Sequence, residues 1–76
     1  MSHNSVDKLV KMANQIASFF SAQKSSDPVA GMVEHLIKFW EPRMRAQLLA
    51  AVASGEAEGL HPLARAAVAA LEPVER

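Results

Sequence analysis

Val6-Asp7-Lys8-Leu9-Val10-Lys11-Met12-Ala13-Asn14-Gln15-Ile16-Ala17-Ser18-Phe19-Phe20-Ser21-Ala22 is the stretch whose reading decides the fold. Val6, Leu9, Val10, Ala13, Ile16, Ala17 and Phe20 follow the i, i+3, i+4, i+7 spacing without a miss. They draw one apolar stripe down an amphipathic helix. Asn4 or Ser5 stands where an N-cap is needed, and Asp7 places a negative charge in the first turn. A helix striped on one side needs other elements to cover it, and the rest of the chain offers more helices.

Polar residues from Ser21 to Asp27 read as a loop. Asp27-Pro28 is a helix start, a capping side chain followed by proline at the first helical position. The second helix is expected to run to about Trp40. Its apolar positions Val29, Met32, Val33, Leu36, Ile37, Phe39 and Trp40 cover about half the circumference, wider than one packing stripe needs. Gly31 inside it costs about 1 kcal/mol relative to alanine and suits close approach of another backbone. Pro42 marks a break, because it lacks an N–H and biases Glu41 away from the helical region. A third helix runs from Pro42 to about Ser54, with Gly55 as its terminator and Met44, Leu48, Ala51 and Val52 on one face. Pro62 opens a fourth, with Leu63, Ala67, Ala70 and Leu71 on one side and Pro73 as its end. No stretch alternates apolar and polar residues as a half-buried strand does. The expectation is all-α: one domain over residues 1–76, a frayed 1–5, helices over about 6–22, 28–40, 42–54 and 62–72, and a tail at 73–76.

At 76 residues there is room for one small domain. Half of the residues are apolar, but 14 of those 38 are alanine, so 24 larger side chains make the core. With no cysteine there is no disulfide framework, thiolate metal site or iron–sulfur ligation. So small and unstapled a domain often draws stability from a partner. Eight basic residues balance eight acidic ones, which argues against an electrostatic nucleic-acid binder. The longest apolar runs, 48–53 and 66–71, are six residues each and cannot span a bilayer. An intracellular protein is expected.

The inventory for catalysis is poor. His3, His35 and His61 show no His-x-x-x-His spacing, and no serine sits in a nucleophile elbow. Gly31, Gly55 and Gly59 make no phosphate-cradling loop. No catalytic residue and no metal ligand is assigned.

Three features point outward instead. Met12 and Phe19 lie off the main stripe of the first helix and share a second, smaller one; packing within the domain and contact with a partner both account for it. Asn14 and Gln15 sit in mid-helix, either solvent-exposed or, for Asn14, bonded to a backbone beside the core. Phe39-Trp40-Glu41-Pro42-Arg43-Met44-Arg45 is dense in the residue types of binding hot spots. Arg45 lies near the apolar face of the third helix, where its fork needs a carboxylate, a carbonyl array or a phosphate. Arg43 points nearly the other way. Trp40 serves either as core or as an anchor.

Lys8-Leu9-Val10-Lys11-Met12-Ala13-Asn14-Gln15-Ile16-Ala17-Ser18-Phe19-Phe20 and Val33-Glu34-His35-Leu36-Ile37-Lys38-Phe39-Trp40-Glu41-Pro42-Arg43-Met44-Arg45 together resemble the delta subunit family of NAD-dependent, molybdenum-containing formate dehydrogenases. Gly59-Leu60-His61-Pro62-Leu63 adds weaker likeness, and the whole spans about residues 6–71. The resemblance implies a non-catalytic small subunit of a cytoplasmic complex that oxidises formate and reduces NAD. It implies a role in assembly, stability or molybdenum-cofactor insertion, with a large molybdenum and iron–sulfur subunit as partner. Bis-molybdopterin guanine dinucleotide, iron–sulfur clusters, FMN and NAD belong to other subunits of such a complex. On this chain Met12, Asn14, Gln15, Phe19, Trp40, Arg43 and Arg45 are the interface candidates, and Arg43 and Arg45 the candidates for cofactor phosphate. The alternative is a generic helical interaction module or small dimeric regulator.

Overall fold

A computed structural model describes the backbone over residues 3–23 and 26–75 and the side chains over 6–23 and 26–71. Four helices follow in order: α1 (His3–Ala22), α2 (Pro28–Phe39), α3 (Pro42–Ser54) and α4 (Pro62–Glu75). No strand occurs among the described residues. Each helix touches the other three.

The start and stop chemistry acts as the residue types require. The Asp27 carboxylate accepts from the Ala30 N–H at 3.1 Å, and Pro28 follows as the first residue of α2. Trp40 leaves the helical region at ψ 140°, and Glu41 follows at ψ 150°, held extended by Pro42, the first residue of α3. Gly55 ends α3 at φ +82°, with its N–H on the Val52 carbonyl and that of Glu56 on the Ala51 carbonyl. That bond pair is a Schellman motif, which a residue without Cβ adopts at no steric cost.

Two ends differ from the expectation. Asn4 and Ser5 lie inside α1, so neither is its N-cap. No proline or glycine precedes Val6 to stop the helix. The side chains of His3, Asn4 and Ser5 lie outside the described residues. At the other end α4 continues through Pro73 to Glu75. The fixed φ of proline is itself helical, and in the last turn its missing N–H removes a single bond to a carbonyl one turn back.

The α1 stripe meets the core as its spacing requires: Leu9, Val10, Ala13 and Ala17 are buried, and Val6, Ile16 and Phe20 pack against them. In α2 the wide apolar arc is divided. Met32, Leu36 and Trp40, four residues apart, are fully inside, while Ile37 and Phe39 are left on opposite shoulders. The buried face of α4 is Ala64, Ala67, Val68 and Leu71, with Leu63 half-buried. Ala70, expected on that face, is exposed. Alanine packs or faces water at little cost either way, so the alanine run does not fix the rotation of α4 and the positions of Val68 and Leu71 do. Gly31 admits the Phe20 ring, not a second backbone: a Cβ there would lie 3.0 Å from Phe20 Cε1.

Candidate functional site

Two polar side chains that the sequence singles out are used internally. Asn14, in the middle of α1, reaches the α3–α4 loop 45 residues away. Its Nδ2 donates to the Gly59 carbonyl at 2.9 Å, and its Oδ1 accepts from the His61 N–H at 2.8 Å. One amide thus serves a loop carbonyl and a loop N–H that secondary structure leaves unpaired. The loop in turn buries Ala57 and Leu60. His61 opens α4, accepting the Leu63 N–H on Nδ1 at 3.0 Å, and Arg65 donates to the Ala57 carbonyl at 3.0 Å. Glu58 and His61 are spaced three apart, but across a turn and not on a helix face. Among the described residues no three His, Asp or Glu side chains converge as metal ligands do.

Arg45 is 9% exposed, on the buried line of α3 with Leu48 and Ala51. Its Nη1 donates to the carbonyls of Leu36 and Ile37, each at 3.2 Å, and to that of Trp40. These are carbonyls at the C-terminal end of α2, where the helix dipole is negative and its last acceptors lack intrahelical donors. Of the three ways to satisfy the fork of Arg45, a carbonyl array serves Nη1, and it is intrachain. Arg43 is exposed on α3. The two candidates for cofactor phosphate are therefore not brought together.

What remains bare is aromatic. Phe39 is 72% exposed and Phe19 58%, with Met12 exposed beside them. Phe19, Phe20, His35 and Phe39 form a ladder of rings, with centroids 5.3, 6.0 and 4.7 Å apart in succession. Beside it a groove of about 550 Å³ opens between α1, α2 and the start of α3. Its apolar lining comes from Met12, Ile16, His35, Phe39, Trp40 and Met44, and Gln15 and Glu41 supply polar groups. Trp40 is 5% exposed, so it is core first and floor of the groove second. Of the interface candidates singled out in the sequence, Met12, Gln15 and Trp40 line this groove and Phe19 stands in the ladder, and His35, Phe39 and Met44 join them from outside that set. The surplus width of the α2 arc was the available signal. Met12 and Phe19 do not pack within the domain as fully as the core reading required.

A second apolar groove of about 630 Å³ lies between α2 and α4, lined by Val29, Ala30, Val33, Ile37 and Ala70. Charged groups of α2 ring it, and Lys38 pairs with Glu34 at 3.4 Å. No helix among the described residues is long and apolar enough to cross a membrane.

Fold and surface define a class: a small all-α protein whose buried polar groups hold its own backbone and whose aromatic face is partly uncovered. A family model described as NADH-dependent formate dehydrogenase delta subunit FdsD matches residues 8–68, and the chain belongs to that family. No curated protein and no solved structure matches it.

Proposed function

We propose that the chain is a non-catalytic delta subunit of a cytoplasmic NAD-dependent molybdenum formate dehydrogenase, supporting assembly, stability or insertion of the molybdenum cofactor. The family match over residues 8–68 carries this reading. Its partner is the large molybdenum and iron–sulfur subunit; the molybdopterin dinucleotide, the iron–sulfur clusters, FMN and NAD sit on the other subunits. Two observations support a role by contact rather than by chemistry. Asn14 and Arg45, the polar residues with most to offer a ligand, are engaged on the backbone of their own chain. Of the four large apolar side chains left exposed among the described residues, three, Met12, Phe19 and Phe39, are of kinds enriched in interface cores.

The test is to purify the formate dehydrogenase from cells with and without this chain. Molybdenum content, subunit stoichiometry and formate-dependent NAD reduction are measured on each. The expected result without the chain is lost molybdenum or lost subunits, with activity falling in proportion. Full molybdenum, intact stoichiometry and unchanged activity would overturn the reading. The bare Met12 and Phe19 favour one second reading, a module that pairs with its own copy. A concentration-dependent dimer of the isolated chain that binds no formate dehydrogenase subunit would carry that reading instead.

A further inference from the structure

We infer that the groove between α1, α2 and α3 is the docking site for one helix of the larger formate dehydrogenase subunit. That helix presents an apolar ridge flanked by a carboxylate for Lys8 and a hydrogen-bond donor for Glu41. The inference rests on the delta-subunit reading and adds the face, the side chains and the chemistry they receive.

Lys8, Met12, Gln15 and Phe19 stand at i, i+4, i+7 and i+11 and so form one outward row on α1, all of them exposed. The row rises about 16 Å, three helical turns. Lys11 and, beyond it, Asp7 lie on the side of the row away from Ile16 and Phe20. The ladder from Phe20 through His35 to Phe39 makes the other wall, and Trp40 and Met44 belong to the lining. A trough of this length with protruding walls fits the apolar ridge of a helix, the groove mode of recognition in which anchors fall at i, i+3, i+4 and i+7. The broad side of the molecule, 38 by 24 Å, has room for the roughly 800 Å² per partner of a standard interface.

Lys8 continues the α1 row one turn beyond Met12, and the Glu41 carboxylate lines the groove. A guest helix therefore places a carboxylate against Lys8 and a donor against Glu41, while Gln15 can serve either kind of group. The α2–α4 groove is the weaker host. Its apolar lining, Val29, Ala30, Val33, Ile37 and Ala70, is aliphatic throughout, with no tryptophan, phenylalanine or methionine to anchor a partner.

The experiment uses the full tagged chain co-expressed with the other formate dehydrogenase subunits, each retained subunit being identified by mass. The wild type should retain the large subunit. F19S/F39S should retain about tenfold less or lower still; it also loses the ring contacts with Phe20 and His35, so retention is measured well below its own melting midpoint, where circular dichroism shows it folded. K8E should also weaken retention, and added salt should weaken that of the wild type. I37S, in the other groove, should retain as much as the wild type. Undiminished retention by F19S/F39S overturns the inference while leaving the delta-subunit reading standing. So does loss in I37S alone, or a wild-type self-dimer by light scattering that F19S/F39S abolishes without touching retention. A wild type that retains no formate dehydrogenase subunit overturns the delta-subunit reading itself.

Discussion

Replacing Arg45 with methionine separates a structural arginine from a contact arginine. Methionine refills part of the volume but donates nothing to the α2 carbonyls. Nη1 carries two hydrogens, so three carbonyls share them, and two bonds is the fair count. The Leu36 carbonyl keeps the Trp40 N–H at 3.0 Å. The loss therefore falls on Ile37 and Trp40, beside a buried indole. Charge-assisted bonds contribute about 1.5–3 kcal/mol each, and the cation adds up to about 2 kcal/mol at a helix C-terminus. Allowing for the refilled space, R45M should lose about 2–4 kcal/mol. A chain of this length holds only about 4–11 kcal/mol in total. At about 4–8 °C per kcal/mol, the midpoint of a thermal melt followed by circular dichroism should drop by at least about 10 °C. R45K keeps a cation but loses the fork, and about half the drop is expected. R43M, exposed, should stay within about 0.5 kcal/mol of the wild type. An R45M chain that melts with the wild type but no longer joins its complex would refute the structural assignment and make Arg45 a contact residue.

Other substitutions test the remaining joints. N14A removes both bonds to the α3–α4 loop and should cost about 1–3 kcal/mol; faster hydrogen exchange at the His61 amide would locate the loss there, and unchanged protection would count against the latch. N14D keeps the acceptor for His61 but sets a carboxylate against the Gly59 carbonyl, so in urea it should be less stable than the wild type. D27A deletes the α2 N-cap, with an expected loss of about 1 kcal/mol in a urea titration; no loss would mean that Pro28 alone starts the helix. G31A gains about 1 kcal/mol of helix propensity but pushes on the Phe20 ring. Net stability should change little while the proton resonances of His35, whose ring lies 6.0 Å from that of Phe20, move; resonances that stay fixed would mean the ring does not sit where α2 leaves room for it.

The fold was legible because its signals are local. The α1 stripe, Asp27-Pro28, Pro42, Gly55 and Pro62 each act within one or two turns of helix, through dihedral limits and hydrogen bonds that neighbours in sequence decide. Where the local signal is weak, reading was less sure. The alanine-rich α4 turned Ala64 and Val68 inward where Ala70 was expected. Pro73, a stop by residue type, is tolerated because only a final turn depends on it.

The surface divides along the same line. That Arg45 stands near the apolar face and needs acceptors follows from its position on a 3.6-residue helix. That those acceptors are the end of α2 depends on how two helices meet at Pro42. Asn14 is the sharper case. Nothing within ten residues marks it as anything but a mid-helix amide, and its partners, Gly59 and His61, lie across the chain. The bare face repeats the lesson: spacing shows that α2 has more apolar arc than one stripe needs, but not which shoulder stays uncovered. The sequence by itself determined four helices and the ends set by Asp27-Pro28, Pro42, Gly55 and Pro62, because backbone dihedrals and side-chain periodicity are properties of short stretches. Only the tertiary structure decided which polar groups are engaged and which apolar ones are left over, because pairing and burial are set by which helices pack side by side.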